Sequence, residues 1–421
     1  MDLSIFILFM LSTLQTFNCD SRRINGNSRL NFFDIDLLRY TTEDKMGNVM
    51  ISPASMKSTL AMILEGARGD TEKEIRNALR LSPNKEEYRE ELNQYLSLLK
   101  TNKTGTLLYN ANAVFVSDKL KLKREYEVML RKVYHSEIRY ADFKNPPEAA
   151  NLINGWTSAN TNAHITFVVG PVDISPTSDM VLSNAMFFKG AWQRAFDPRL
   201  TRKDCFFVKG TCNDVAMMSL SAELNYAYVD NLRAHAVELP YEGKRYSMIL
   251  LVPVDRDGLV SIVRDLPYMS LPQISQQLEP NEVFLYLPKF SVDYNENMVA
   301  ALKSMRINTL FSKDADLSAM YEGGSPTLNS ILHKVQMTVN EQGTVAAAAT
   351  SAMIIPLIEN GVQLRVDRPF LFFIRDNDSG LVILEGKIEE PTPFQEDLVK
   401  ADPVPTVKKN TRTFSLRRLF G

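Results

Sequence analysis

The chain has 421 residues, 48 of them Lys or Arg and 50 Asp or Glu, so its formal charge is -2 and no field argues for nucleic acid as a partner. Hydrophobic residues make up 45% and charged residues 23%, the balance of a globular chain able to bury a large core. Length alone suggests about two or three domains, but no internal linker rich in Pro, Gly or Ser, no repeat and no low-complexity block interrupts the chain before its tail.

Leu3 to Leu11 is apolar apart from Ser4, too short to span a bilayer and about right for the core of a secretory signal over residues 1–19, cut near Cys19. No Lys or Arg precedes it and Asp2 is acidic, so a buried first helix stays open as the alternative. Asn102-Lys103-Thr104 and Asn377-Asp378-Ser379 are sequons, usable at Asn102 and Asn377 by a secreted chain. Lys119, Lys121, Lys123, Arg124, Arg131 and Lys132 form a basic stretch that a solvated helix face explains. Cys205 and Cys212 are spaced for a bond across a hairpin turning at Lys209-Gly210, which an oxidising compartment permits; two buried free thiols are the alternative. The pair has no nearby His, so no metal spacing is present. The four histidines, His135, His164, His235 and His333, sit in no protease-like or zinc-like motif, which argues against a catalytic site and against an enzyme.

The most informative segment is Glu341 to Phe370. Alanine's helix propensity would make Ala346, Ala347, Ala348 and Ala349 a helix. With the strand period of two, Thr344, Ala346, Ala348, Thr350, Ala352 and Ile354 share one small, uncharged face that can enter a sheet without burying charge. Glu341 and Gly343 precede it, and Gly343 stands where the backbone has to swing. Such a segment can live as an exposed loop and become a strand. Beyond Pro391 a Pro-containing tail, residues 393–421, ends in Lys408, Lys409, Arg412, Arg417 and Arg418 and reads as a flexible extension.

The motifs together identify a family. They are Asn48-Val49-Met50-Ile51-Ser52-Pro53-Ala54-Ser55, Gly66-Ala67-Arg68-Gly69-Asp70-Thr71, Tyr134-His135-Ser136-Glu137, Ile153-Asn154-Gly155-Trp156, Asn184 to Trp192, Leu287-Pro288-Lys289-Phe290, His333-Lys334 and Gly386-Lys387-Ile388. In this order and spacing the chain resembles a serpin over nearly its whole length. The resemblance implies an α+β fold of three β-sheets and about nine helices in one domain, residues 20–392, with an exposed reactive loop. It implies that Ser52, Ser55, Asn184 and His333 form a hydrogen-bonded shutter beneath the central sheet, with Trp192 at the end of the sheet where insertion begins.

It also implies a function: a protease cleaves the loop, and the freed segment from Thr344 onward inserts into the sheet with the protease still attached as an acyl-enzyme. Counting the family's usual distance from Thr344 places the scissile bond at Leu357-Ile358, where leucine suits a chymotrypsin-like pocket, cathepsin G-like or elastase-like enzymes included, and not a trypsin-like one. Met353, Ile355 and Ile358 are the competing registers. Val345 departs from the family's usual Glu, on the outward face. Heparin-binding serpins line one helix with basic residues; the matching helix here, Lys85 to Lys100, carries Glu86, Glu87, Glu90 and Glu91. The expected protein is thus a secreted, extracellular monomeric inhibitor, needing no cofactor, whose partner is a serine protease. A weak glycosaminoglycan contact through the basic tail is weighed against a solvated tail with no partner. The alternative is a non-inhibitory carrier or storage serpin; these tend to have bulky, charged or proline residues in the hinge, absent here from Gly343 to Ala352.

Overall fold

The computed structural model describes residues 32–98, 106–134, 136–323, 326, 328–343 and 361–395. The signal segment, Asn102, His135, Thr344, Ala346 to Ala349, Leu357, Ile358 and the basic end of the tail lie outside these residues.

In chain order the strands are β1 (Val49–Ile51), β2 (Thr106–Ser117), β3 (Glu137–Ala141), β4 (Met180–Gly190), β5 (Arg202–Val208), β6 (Thr211–Val229) and β7 (Ala234–Pro240). They continue as β8 (Tyr246–Pro253), β9 (Glu279–Pro288), β10 (Phe290–Asn297), β11 (Leu328–Val339), β12 (Val362–Arg365), β13 (Phe370–Asp376) and β14 (Val382–Ile388). The helices are α1 (32–42), α2 (Pro53–Gly66), α3 (Gly69–Ala78), α4 (Lys85–Leu98), α5 (Arg124–Lys132), α6 (Pro146–Asn160), α7 (Leu259–Asp265), α8 (Leu271–Ser275) and α9 (Val299–Ser304). None of these helices is long and apolar enough to cross a membrane.

Hydrogen bonding gathers the strands into a five-stranded sheet, β10-β11-β4-β2-β3, and a nine-stranded one. The larger joins two of the three expected sheets through the 19-residue β6. One part of β6, Met217 to Tyr226, pairs with β9; its end, Asn225 to Val229, pairs with β7.

Strand alternation decides the layers. In β4, Met180, Leu182, Met186 and Phe188 join the main core, while Val181 and Ala185 join a second core on the opposite face. Helix α6 covers that second face with Ala149, Ala150, Ile153 and Trp156. Helix α2 belongs to the main core, and all of its residues are buried. It starts sharply because Ser52 is its N-cap, accepting from the Ser55 amide at 3.1 Å, and Pro53 supplies the preset first turn. The five-stranded sheet therefore has helices on both faces, and its middle strands are buried over most of their length.

Candidate functional site

The middle of that sheet is a parallel seam. β11 runs beside β4 from Leu328–Met180, past a bulge, and in register from Ser330–Val181 to Gln336–Phe187, while each strand's outer neighbour, β10 or β2, is antiparallel to it. Parallel ladders are slightly less stable per residue than antiparallel ones, so the weakest pairing of the three lies at the centre.

Polar side chains bridge this seam. His333 and Asn184 are register partners across it, and His333 Nδ1 lies 2.7 Å from Asn184 Oδ1. On the other ring nitrogen, the Ser52 amide donates to Nε2 at 3.0 Å. An Nε2 that accepts leaves Nδ1 as the donor, so the imidazole is neutral and its tautomer is fixed by its neighbours. Burial pushes His333 down to about 3, which keeps it neutral at physiological pH. Asn184 Nδ2 donates to Asn112 Oδ1 at 2.8 Å and Thr59 Oγ1 at 3.1 Å. Ser55 Oγ donates to Asn110 Oδ1 at 2.6 Å, and Ser52 Oγ donates to the Ile383 carbonyl at 2.8 Å. The four residues expected to cluster are thus brought together.

Asn110, Asn112 and Thr59 belong to the same network without having been expected. Two asparagines two apart in the apolar strand Leu107 to Val116 share one face, and that was the available signal.

At the end of the seam the chain leaves β11 through a tight turn at Asn340 to Gly343. The Trp192 indole donates to the Asn340 carbonyl at 3.1 Å, and the Trp192 amide donates to that of Gln342 at 3.0 Å. Trp192 is itself held by stacking on Tyr241, ring centroids 4.5 Å apart. Glu341 points inward, accepting from Thr201 Oγ1 at 2.7 Å and pairing with Lys289. Gly343 has φ +112°, and a Cβ there would lie 2.3 Å from the Gly190 carbonyl oxygen and 2.6 Å from the Trp192 nitrogen. Glycine is required both for the backbone angle and because two backbones touch.

The chain returns at Gly361 and enters β12, a four-residue edge strand whose partner is β9. Arg365 fastens this short anchor by pairing with Asp204 of β5 and lying 4.6 Å over the Tyr286 ring. The hairpin carrying Asp204 is closed by a disulfide between Cys205 and Cys212. It turns at Lys209 and Gly210, both with positive φ, as the spacing predicted.

One expectation needs adjustment, and two others gain detail. The body does not stop at residue 392: Pro393 bridges Val215 and the Phe394 amide donates to the Asp214 carbonyl at 3.0 Å, so the edge of β6 holds these residues and any free extension starts later. Asn377 is half-buried with its carboxamide engaged, Nδ2 donating to the Lys244 carbonyl at 3.0 Å and Oδ1 accepting from Ser247, which leaves the second Nδ2 hydrogen as the position for a glycan. The acidic helix is described from Lys85 to Leu98, and both of its basic residues, Lys85 and Arg89, turn to the buried Glu65.

Comparison with known proteins agrees with this geometry. The family model described as Serpin (serine protease inhibitor) matches residues 28–391. A "Serine protease inhibitor" of Cyanea capillata is 35% identical over 82% of this chain and 92% of its own length. "Iris" of Ixodes ricinus is 32% identical over 87% of this chain and 98% of its own. The crystal structure of Serpin48 from Tenebrio molitor superposes with a TM-score of 0.78 at 28% identity, over 86% of this chain and 96% of that one.

Proposed function

This chain belongs to the serpin family, and from that premise we propose that it is a secreted serine protease inhibitor that acts once, as a suicide substrate of a chymotrypsin-like protease. The observation that carries the reading is the parallel seam. A segment leaving β11 at Gly343 and folding back beside it runs antiparallel to β11, and therefore to β4 as well. Insertion replaces one parallel ladder with two antiparallel ones. About a dozen additional hydrogen bonds at ~1 kcal/mol each favour the inserted state by roughly 10 kcal/mol.

The protease attacks the bond after Leu357, forms its acyl-enzyme and is carried along as residues from Thr344 enter the seam. About 14 residues at ~3.3 Å each span ~45 Å, enough to move it from one end of the sheet to the other. The small face of Thr344, Ala346 and Ala348 supports entry, and Leu357, apolar and not branched at Cβ, supports an apolar primary pocket. The apolar run Leu3 to Leu11 and the Cys205–Cys212 bond support export. We take the protein as a monomer and place any glycosaminoglycan contact on the basic tail, because the basic residues of α4 are already engaged with Glu65.

The test is incubation with chymotrypsin followed by a denaturing gel. A covalent band near the summed masses is expected, with the released C-terminal peptide beginning at Ile358. Cleaved chain alone overturns the reading. Ala348→Arg, which forces an unpaired charge into the seam, should turn the inhibitor into a substrate.

A further inference from the structure

Behind the shutter lie three charged side chains that the inhibitory mechanism does not use. Asp34 on α1, Lys57 on α2 and Glu385 on β14 are 1%, 0% and 0% exposed. The Lys57 ammonium stands 2.6 Å from Asp34 Oδ1 and 5.9 Å from the centre of the Phe33 ring. Among the described residues no oxygen of either carboxylate has a regular hydrogen bond, and Glu385 differs from Asp34 in lacking an ammonium at ion-pair distance. The strands flanking it contribute apolar neighbours, Val49 to Ile51 from β1 and Phe372 to Ile374 from β13, so the charges it faces are Asp34 from α1 and Lys57 from α2.

Two carboxylates share one ammonium. With both ionised, a net negative charge sits in a dry core with one carboxylate unbonded, an arrangement that proteins avoid by neutralising a group. We propose that Asp34, Lys57 and Glu385 form a proton-holding device: one proton retained by the two carboxylates keeps the junction of α1, α2 and β14 neutral, and its loss in alkaline solution loosens the shutter that α2 and β14 help to build. The link to the shutter is direct. Ser52 caps α2 and donates to the carbonyl of Ile383, two residues before Glu385 on the same face of β14.

Burial supports the assignment, raising Glu385 well above the usual carboxylate range and Asp34 to about 6 against the pull of Lys57. The sign follows. Carboxyls raised in the fold contribute stability that is complete below their unfolded values, about 4, and is lost as pH rises through the folded ones. This part of the molecule therefore gains from mild acid.

The experiment compares thermal midpoints of the full chain and of Glu385→Gln between about pH 5 and pH 9. The wild type should lose midpoint relative to the variant as pH rises. Amide exchange along β4 and β11, corrected for its intrinsic pH dependence, should accelerate in the wild type by up to roughly tenfold per pH unit more than in the variant. Parallel midpoint profiles, or seam exchange that ignores the variant, overturn the proposal. Should Glu385→Gln fail to fold, the wild type alone decides: its infrared spectrum at neutral pH should contain the carbonyl band of a protonated carboxyl that vanishes on unfolding, and the absence of that band overturns it. Neither readout depends on protease inhibition, so failure here leaves the inhibitor reading standing, and the reverse.

Discussion

The two polar clusters beneath the central sheet share α2 and β14, yet solve burial in opposite ways. Around His333 every group is neutral and hydrogen-bonded: imidazole, carboxamides and hydroxyls pass donors to acceptors from Ser52 to Asn110. Around Lys57 the groups are ionisable, and the Glu385 oxygens have no hydrogen-bond partner among the described residues. The first is held together by satisfied geometry, the second by charge balance. Solution pH should therefore pull them in opposite directions. His333, depressed to about 3, costs the folded state up to ~1.4 kcal/mol for each pH unit of acid between roughly 6.5 and 3, because only the unfolded chain takes up that proton. The carboxylates behave the other way round.

Substitutions can sharpen or break this contrast. The largest effect is expected from Lys57→Met, which takes the ammonium from Asp34 and leaves the carboxyl pair with a negative charge that nothing among the described residues balances. Unfolding by denaturant should show a loss of about 3–5 kcal/mol near neutral pH, shrinking as the remaining carboxylate takes up its proton toward about pH 4. A loss that does not vary with pH would mean that Lys57 serves packing alone. His333→Gln comes next, with about 2–3 kcal/mol lost as the Ser52 amide and Asn184 lose their partner. The same variant should flatten the acid limb of the stability profile between about pH 6.5 and 3; an unchanged limb would place that dependence elsewhere. Smallest is Ser55→Ala, about 1 kcal/mol and independent of pH, because the hydroxyl is one donor among several neutral groups.

Much of this was legible beforehand, for different reasons. The hairpin could be read from Lys209-Gly210 between two cysteines, because turn chemistry is local, while the capping role of Ser52 appears only in the structure. That His333 faces Asn184 came from family resemblance alone: no local rule places residues 149 positions apart in register across a seam. The charged cluster left a signal that went unused. Lys57 stands inside Pro53 to Leu64, and Glu385 inside Leu381 to Ile388, each interrupting a stretch otherwise dominated by apolar or small residues. A charge in such a run reads as a tolerated surface position until all three partners are seen to meet. Glu341 was placed in the hinge, but its partners Lys289 and Thr201 are brought to it only by the sheet edges.

At the exit of the seam, Gly343 rests on the carbonyl of Gly190, and a Cβ on Gly190 would in turn lie 2.8 Å from the Tyr241 ring. The doorway is thus built from main chain and two missing side chains, with an aromatic wall behind. The residues that shape it, Gly190, Trp192, Tyr241 and Gly343, all precede the bait in the chain. An engineer can rewrite the bait to attract another enzyme while the threshold it must cross stays the same; what cannot be rewritten cheaply is either glycine.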